Sequence, residues 1–581
     1  MTIRRELPEK GAASDDVWGS DVIAAVLACL DVRYVTLNPG ASFRGLHDSL
    51  INYTGNTRPQ MLLCLHEESA VAIAHGYAKA SGRMMAVALH SNVGLLHGAM
   101  AIFNAWCDRV PILLLGATGP VDAAKRRPWI DWVHTVADQG ALVRDFTKWD
   151  DQPASITAAA ESVLRAAQLA RTAPCAPVYV NFDAALQEQK LAALPPEPNP
   201  QRFQPAPPSA PDPAALARAV RLLAAARNPV ILAGRGSRAP HDWQQRVALA
   251  ECLGARVVTD LKQGAAFPTQ HPLHVGPPGF FLSPAAKTML AHADVIVSLD
   301  WVDLAGTLMQ ASEGQAIAAQ VIHASLDAHL HRGFGGESFG LPPIDVYFLT
   351  EPDAIVAPLL AALPKRAAAP SSGDMHHARG QSASGDLLTI RSIADALEAA
   401  APAEALTLVR LPLGWPGDAR DFHGPLDYLG YDGGAGIGSG PGMTVGAALA
   451  LNEMGRMPVA ILGDGDFLMG VTALWTAARY RITLLIVVAN NRPFYNDEIH
   501  QERVALERGR PVANKWIGQR IADPDIDLAA LARAQGAQGI GPILDVSDLH
   551  AAMRAGLDAV RAGRVCVIDV RVAPARSDGG G

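Results

Sequence analysis

Short apolar runs recur along the chain, separated by longer stretches in which apolar residues return every three or four positions. Tyr34 to Leu37, Met61 to Leu65, Met85 to His90 and Ile112 to Gly116 have the length and composition of buried strands, and Ser69 to Ala80 and Leu95 to Trp106 between them have helical periodicity. The pattern repeats with Val230 to Ala233, Arg256 to Thr259 and Val295 to Leu299, then again with Leu406 to Leu411, Val459 to Leu462, Leu484 to Ala489 and Val565 to Val572. Continuously apolar strands alternating with helices predict parallel sheets covered on both faces, so the fold class is α/β, three times over. The Ala-rich helix Ala215 to Ala226 is explained by propensity and packing alone.

Two Pro/Ala-rich stretches cannot bury enough apolar surface to fold alone and mark the joints. They divide the sequence into a tail (1–16), a first domain (17–193), a linker (194–213), a central domain (214–363), a second linker (364–385), a last domain (386–575) and a short tail (576–581). A chain of 581 residues is too long for one core and suits three domains. A net charge of -8 without any Lys/Arg stripe argues against nucleic acid as a partner. Six scattered cysteines without a CxxC pair predict reduced thiols rather than a disulfide frame or zinc site. The polar start lacks the apolar segment of a signal peptide, and no run of 18 apolar residues is present, so a cytoplasmic protein that does not cross a membrane is expected. With neither GxGxxG nor GxxxxGK[ST], a nicotinamide dehydrogenase or P-loop NTPase is poorly supported.

Positive chemistry first appears in the last segment. Gly463-Asp464-Gly465-Asp466 closes the strand ending at Leu462, and Asn490-Asn491 follows Gly465 after 24 residues, at the end of the next strand. A hard divalent cation takes oxygen ligands, several of them from phosphate. Asp464 offers a carboxylate, Asn491 an amide oxygen, and the loop through Pro493 a backbone carbonyl, while the glycines let the backbone close around the ion.

That motif, with Leu65-His66-Glu67-Glu68-Ser69-Ala70 and His75-Gly76-Tyr77-Ala78, resembles the thiamine diphosphate (ThDP) enzymes of the 2-oxoacid decarboxylase and acetolactate synthase superfamily. The resemblance implies three doubly wound parallel-sheet domains: pyrimidine-binding, central Rossmann-like and diphosphate-binding. It further implies ThDP and Mg²⁺ as cofactors, with active sites between subunits of a homodimer or homotetramer. Glu67 would hydrogen-bond the aminopyrimidine, with Glu68 starting the helix instead. Asn38 and Gly40 would form the first active-site turn, and His90, in Ala88-Leu89-His90-Ser91, would shuttle a proton at the substrate oxygen. Leu413, Gly414 and Trp415 match the turn whose amides meet the diphosphate. Within Gly436-Ile437-Gly438 the isoleucine would sit under the thiazolium, its alternative being an ordinary core residue. The His-His pair of simple decarboxylases is absent, and Ala41 stands where benzoylformate decarboxylase carries a serine.

Asn491 to His500, together with His90 to Leu95 and Lys125 to Trp132, is similar to bacterial 2-hydroxyacyl-CoA lyases, relatives of oxalyl-CoA decarboxylase. That likeness implies cleavage of a 2-hydroxyacyl-CoA to formyl-CoA and an aldehyde or ketone, or the reverse carboligation. Glu498 would be the base, oriented by Tyr495. Lys125 to Arg127, or Arg235 and Arg238, would meet CoA phosphates, with ADP or a CoA nucleotide in the central domain and FAD not expected there. The competing readings are a decarboxylase or acetolactate synthase-like carboligase acting on a free 2-oxoacid, and a catalytically silent regulator.

Overall fold

The computed structural model describes residues 3–9, 16–329, 339–364, 387–401 and 405–574. The second linker, apart from Pro364, and the final tail lie outside the described residues.

Three parallel sheets carry the fold. The first holds β1 (Tyr34–Leu37), β2 (Gln60–Leu63), β3 (Met85–Leu89), β4 (Ile112–Thr118), β5 (Asp150–Asp151) and β6 (Val178–Asp183) in the order β2-β1-β3-β4-β6-β5. The central sheet holds β7 (Pro229–Ala233), β8 (Arg256–Val258), β9 (Val295–Leu299), β10 (Gln320–Ala324) and β11 (Val346–Phe348) in the order β8-β7-β9-β10-β11. The last holds β12 (Leu406–Arg410), β13 (Met457–Gly463), β14 (Leu484–Asn490), β15 (Gln538–Ile543) and β16 (Val565–Arg571) in the order β12-β13-β14-β16-β15. β3, β4, β7, β9, β12 and β14 are buried at every position, which is why they read as largely apolar runs without alternation. No helix among the described residues is long and apolar enough to cross a membrane.

The expected elements are present, with boundaries moved by local chemistry. The helix expected from Ser69 begins two residues earlier: α1 (Glu67–Ser81) is capped by His66, whose ring accepts the Glu68 N–H at 3.2 Å. It stops at Gly82, whose φ of +68° suits glycine. The helix expected from Leu95 begins four residues earlier, at the strand end, as α2 (Ser91–Cys107). Between the two halves of the Gly463–Asn491 motif lie two helices, α4 (Asp464–Gly470) and α5 (Ala473–Tyr480), preceded in the chain by α3 (Gly440–Glu453).

α1 and α3 join the first and last sheets. Gly442 packs on Ser69 and Ala72, Gly76 on Met443 and Ala447, and Gly446 on Ile73 and Tyr77. Contacts advance along both helices together, so the helices run parallel and start at the same end. A Cβ at Gly446 would collide with the Ile73 carbonyl, and one at Gly76 with the Met443 carbonyl, so the two backbones touch directly. One buried cluster accordingly spans both domains, from Leu62, Ile73 and Val87 to Leu449, Phe467 and Ile486.

Gly446→Ala should destabilise the protein by about 1–3 kcal/mol, because neither backbone can yield. Urea unfolding of the purified variant measures it, and an unchanged midpoint would show that the helix pair has slack.

Candidate active site

The carboxyl ends of β12, β13 and β14 open onto one cavity of about 520 Å³, the position at which open parallel sheets bind ligands. Leu413, Gly414, Ile437, Gly463, Asp464, Gly465, Asp466, Asn491, Pro493 and Tyr495 line it, so most of the residues expected at the cofactor meet here. Trp415, Gly436, Gly438 and Glu498 are not in its lining.

Asp464 has the donor character a cation needs. Its carboxylate is buried, accepts the Gly465 N–H at 2.9 Å and the Arg492 N–H at 2.6 Å, and makes no ion pair among the described residues. Burial pushes its pKa up to about 6. A cation beside it would remove that penalty, and the amide of Asn491 lines the same wall. Asn490 is turned the other way, donating to Asp569 at 2.9 Å and accepting from Arg571 at 3.1 Å. The donor set therefore fits a hard divalent ion and a diphosphate.

Asp466 lines the cavity but serves the protein rather than a ligand. It accepts the N–H groups of Gly438 and Gly440 at 2.7 and 3.1 Å and pairs with Arg410 at 3.0 Å. Arg410, buried, also pairs with Asp432 and lies under the Tyr431 ring, 4.5 Å from its centroid. Asn104 of α2 holds the same loop, accepting the Gly436 N–H at 3.2 Å and donating to the Gly436 carbonyl at 3.1 Å. These anchors leave Ile437 at 37% exposure in the cavity wall, so it is not the ordinary core residue that was its alternative. Trp415 departs from expectation: its N–H closes a turn on the Pro412 carbonyl at 2.9 Å and its side chain is buried in the core. Glu498 departs too, buried and paired with Arg520 at 2.8 Å.

No residue before Ile390 lines this cavity, among the described residues. Glu67 lies on a separate face of the first domain, buried, with its Oε2 at 3.3 Å from His97 Nδ1. The His66 and His97 rings stack at 5.2 Å beside it. Glu68 sits toward the last domain, where burial and then the charge of Asp466 raise its pKa. On the face that carries Glu67, Asn38 donates to the Cys64 carbonyl at 3.1 Å, and Gly40 leaves room for the His90 ring, which a Cβ would strike.

His90 is not alone there. Its Nδ1 lies 2.9 Å from the Ser42 hydroxyl, and its ring meets His134 edge-to-face at 4.6 Å between centroids. Ser42 restores, one residue later, the hydroxyl that Ala41 lacks, and a one-position slip after Asn38-Pro39-Gly40 would have found it. Nothing local in the sequence marks His134. Backbone strain accompanies both places: Ser91, next to His90, holds φ of +43°, and in the last domain Ala435 and Arg492 hold +56° and +68°.

A second cavity, about 570 Å³, opens where β7 and β9 end, at the place of the expected ADP or CoA nucleotide and away from the motifs. Its cations are already engaged. Arg109 pairs with Asp300 and Asp327, and Lys79 with Asp108. Arg238 donates to the Lys79 and Leu429 carbonyls, and Arg235 lies 3.7 Å from Asp300. Asp242, Glu351 and Asp353 add further acid to the lining, which disfavours a polyphosphate. In the first domain Arg127 is tied to Asp131 and Arg126 to the Pro120 carbonyl.

Comparison with known proteins agrees with this geometry. Residues 17–142 match the thiamine pyrophosphate enzyme N-terminal TPP binding domain, 216–329 the central domain and 414–570 the C-terminal TPP binding domain. Benzoylformate decarboxylase of Pseudomonas aeruginosa is 25% identical over 534 residues, covering 88% of this chain and 91% of its own. Sulfoacetaldehyde acetyltransferase of Rhodobacter capsulatus is 33% identical over 243 residues, 41% of this chain and 38% of its own. Among solved structures, the 4-hydroxybenzoylformate decarboxylase of Rhodococcus jostii RHA1 superposes with a TM-score of 0.77 at 22% identity, covering 96% of this chain and 99% of its own. Benzoylformate decarboxylase from Polynucleobacter necessarius gives 0.79 at 20% identity, with the same coverage.

Asp464 and Asp466 should respond oppositely to substitution. Asp466→Ala frees two buried N–H groups and removes one of the two carboxylates that hold Arg410, and should cost about 3 kcal/mol in urea unfolding of the cofactor-free protein. Asp464→Asn should leave that stability equal or higher but abolish Mg²⁺-dependent ThDP binding in calorimetry; retained binding would place the ion elsewhere.

Proposed function

We propose that this chain, a member of the thiamine diphosphate-dependent 2-oxoacid decarboxylase and acetolactate synthase superfamily, decarboxylates a free 2-oxoacid. The observation that carries the reading is the Ser42–His90 contact at 2.9 Å, which supplies the hydroxyl and imidazole of a decarboxylase site. The relatives named above lean the same way, since three of the four decarboxylate benzoylformates by title. The 2-hydroxyacyl-CoA lyase reading is weaker. Its base, Glu498, is held by Arg520, and of the cations it needs for CoA phosphates Arg126, Arg127, Arg235 and Arg238 are engaged within the protein.

Asp464, Asn491 and the Pro493 carbonyl would hold Mg²⁺, and backbone N–H groups at Leu413 and Gly414 the diphosphate, with Ile437 beneath the thiazolium ring. When bound, the cofactor supplies a nucleophilic carbon and an electron sink for the bond broken on loss of CO₂. The chain's residues do the rest. Glu67 exchanges a proton with the pyrimidine nitrogen, which makes the cofactor's own amine basic. His90 meets the substrate's 2-oxo oxygen as charge gathers on it. Leu413, Ile437 and Phe494 exclude water from the carboxylate that is lost. Trapping by a second carbonyl compound would give carboligation from the same residues.

Glu67 faces away from its own chain's cavity, so the complete site takes the acid from a second copy, in a homodimer or homotetramer. Incubation with Mg²⁺, ThDP and either benzoylformate or pyruvate should release CO₂, whereas formyl-CoA with acetone should give no product. The reverse result would return the assignment to the lyase. Glu67→Gln should keep ThDP affinity within about tenfold yet slow deuterium exchange at the cofactor's reactive carbon by 100-fold or more; unchanged exchange would remove Glu67 from its role.

A further inference from the structure

His134 lies 44 residues from His90 in sequence, on the segment after the short helix Ile130–Val133, yet the two rings meet at 4.6 Å with an interplanar angle of 79°. Both side chains are only partly exposed. The protein fixes both neighbours of the pair. Gly119 donates to the His134 carbonyl at 3.2 Å, and Asn92 donates to the Val133 carbonyl at 3.4 Å. Asn92 Oδ1 and Ser91 Oγ are buried beside them without a hydrogen-bond partner.

The partners of His90 assign its tautomer. Ser42 Oγ accepts the Ser91 N–H at 3.2 Å, which leaves its own proton to donate toward His90 Nδ1, and the Ser42 N–H points to the same nitrogen at 3.4 Å. Nδ1 is therefore an acceptor, and a neutral His90 carries its proton on Nε2. Protonating His90 would break the Ser42 donation and place a second charge against a neighbouring imidazole.

We propose that His134 keeps His90 uncharged, so that His90 meets the substrate oxygen as a neutral Nε2–H donor and not as a proton shuttle. His134 is thus a positioning residue acting through His90, and the inference rests on the 2-oxoacid reading above. Two imidazoles at this separation share one proton more readily than they hold two. Burial first, and His134 second, depress the His90 pKa, while Glu67 opposes them. Among the described residues these are the titratable groups that bear on the ring. Glu67 reaches it from the start of α1 and His134 from the segment after Val133, while Ser42, in the short turn Ala41–Phe43, contributes only its hydroxyl and amide. Glu67 is itself held by His97.

The sign follows directly. A depressed His90 pKa means that the ring charges only well into acid, so activity carried by neutral His90 persists to low pH. His134→Phe keeps an aromatic edge against His90 but removes the competing charge, and the His90 pKa should then rise by about half to one unit. Histidine-labelled protein read by NMR gives the ring titrations of wild type, His134→Phe and His134→Gln without any substrate. The acidic limb of kcat/KM with the 2-oxoacid that wild type consumes should move upward by the same amount. An unmoved His90 titration in both variants, or a His90 that titrates at the ordinary histidine value in wild type, overturns the proposal. Failure of wild type to consume any 2-oxoacid overturns the functional reading instead, and the ring titrations still decide the pair.

Discussion

Direct backbone contact between two parallel helices sets the geometry on which the site depends. α1 and α3 start at the same end, and at Gly76, Gly442 and Gly446 no side chain separates them. Helix axes brought so close cannot slide without backbone collision, so the start of α1 is registered against the start of α3. Those starts carry Glu67 and the loop that presents Ile437. One close-packed interface therefore fixes the acid of the first domain and the apolar prop of the last in a single rigid frame, although each then faces a different side.

Buried charge within that frame is sorted by purpose. Arg410 is shared by Asp432 and Asp466, and the three tie down the Gly436 to Gly440 loop, so their burial is compensated by ion pairs and hydrogen bonds within the protein. Asp464, two residues away from Asp466, is buried with no such partner, and its raised pKa expresses the cost. One carboxylate is fully satisfied and its neighbour has no ion-pair partner among the described residues, the arrangement the proposed cation site requires. Left-handed backbone at Ala435 and Arg492 points the same way, since strain of this kind at non-glycine residues persists where neighbouring structure imposes it.

Much of this was legible in the sequence, and what was not has a common cause. Strands buried on both faces announce themselves as apolar runs, and Gly463-Asp464-Gly465 with Asn491 is readable because each half is local to one strand end. Residues whose meaning depends on distant partners were misassigned or missed. Glu498 looked like a free base until Arg520, 22 residues on, was placed against it. Arg235 and Arg238 looked like phosphate ligands until Asp300 and two main-chain carbonyls were placed beside them. Asp466 looked like a cofactor residue because it adjoins one. His134 gave no sign at all, since only the return of the chain after β4 brings it to His90.

The last of these corrections alters how the substrate face should be understood. The sequence lacks the adjacent His-His pair of simple decarboxylases, and on that ground a 2-oxoacid substrate was disfavoured. Adjacency in sequence is not what the chemistry requires. A carbonyl oxygen gaining charge requires a donor held in one tautomer and in a low-dielectric setting. Ser42 supplies the first condition and partial burial with His134 the second, from two loops of the first domain that share no motif. A neutral imidazole also avoids drawing the substrate carboxylate into an ion pair, which would stabilise the group that must leave. On the proposed reading, the hydroxyl and paired imidazoles that no linear pattern shows are brought together in space at Ser42, His90 and His134.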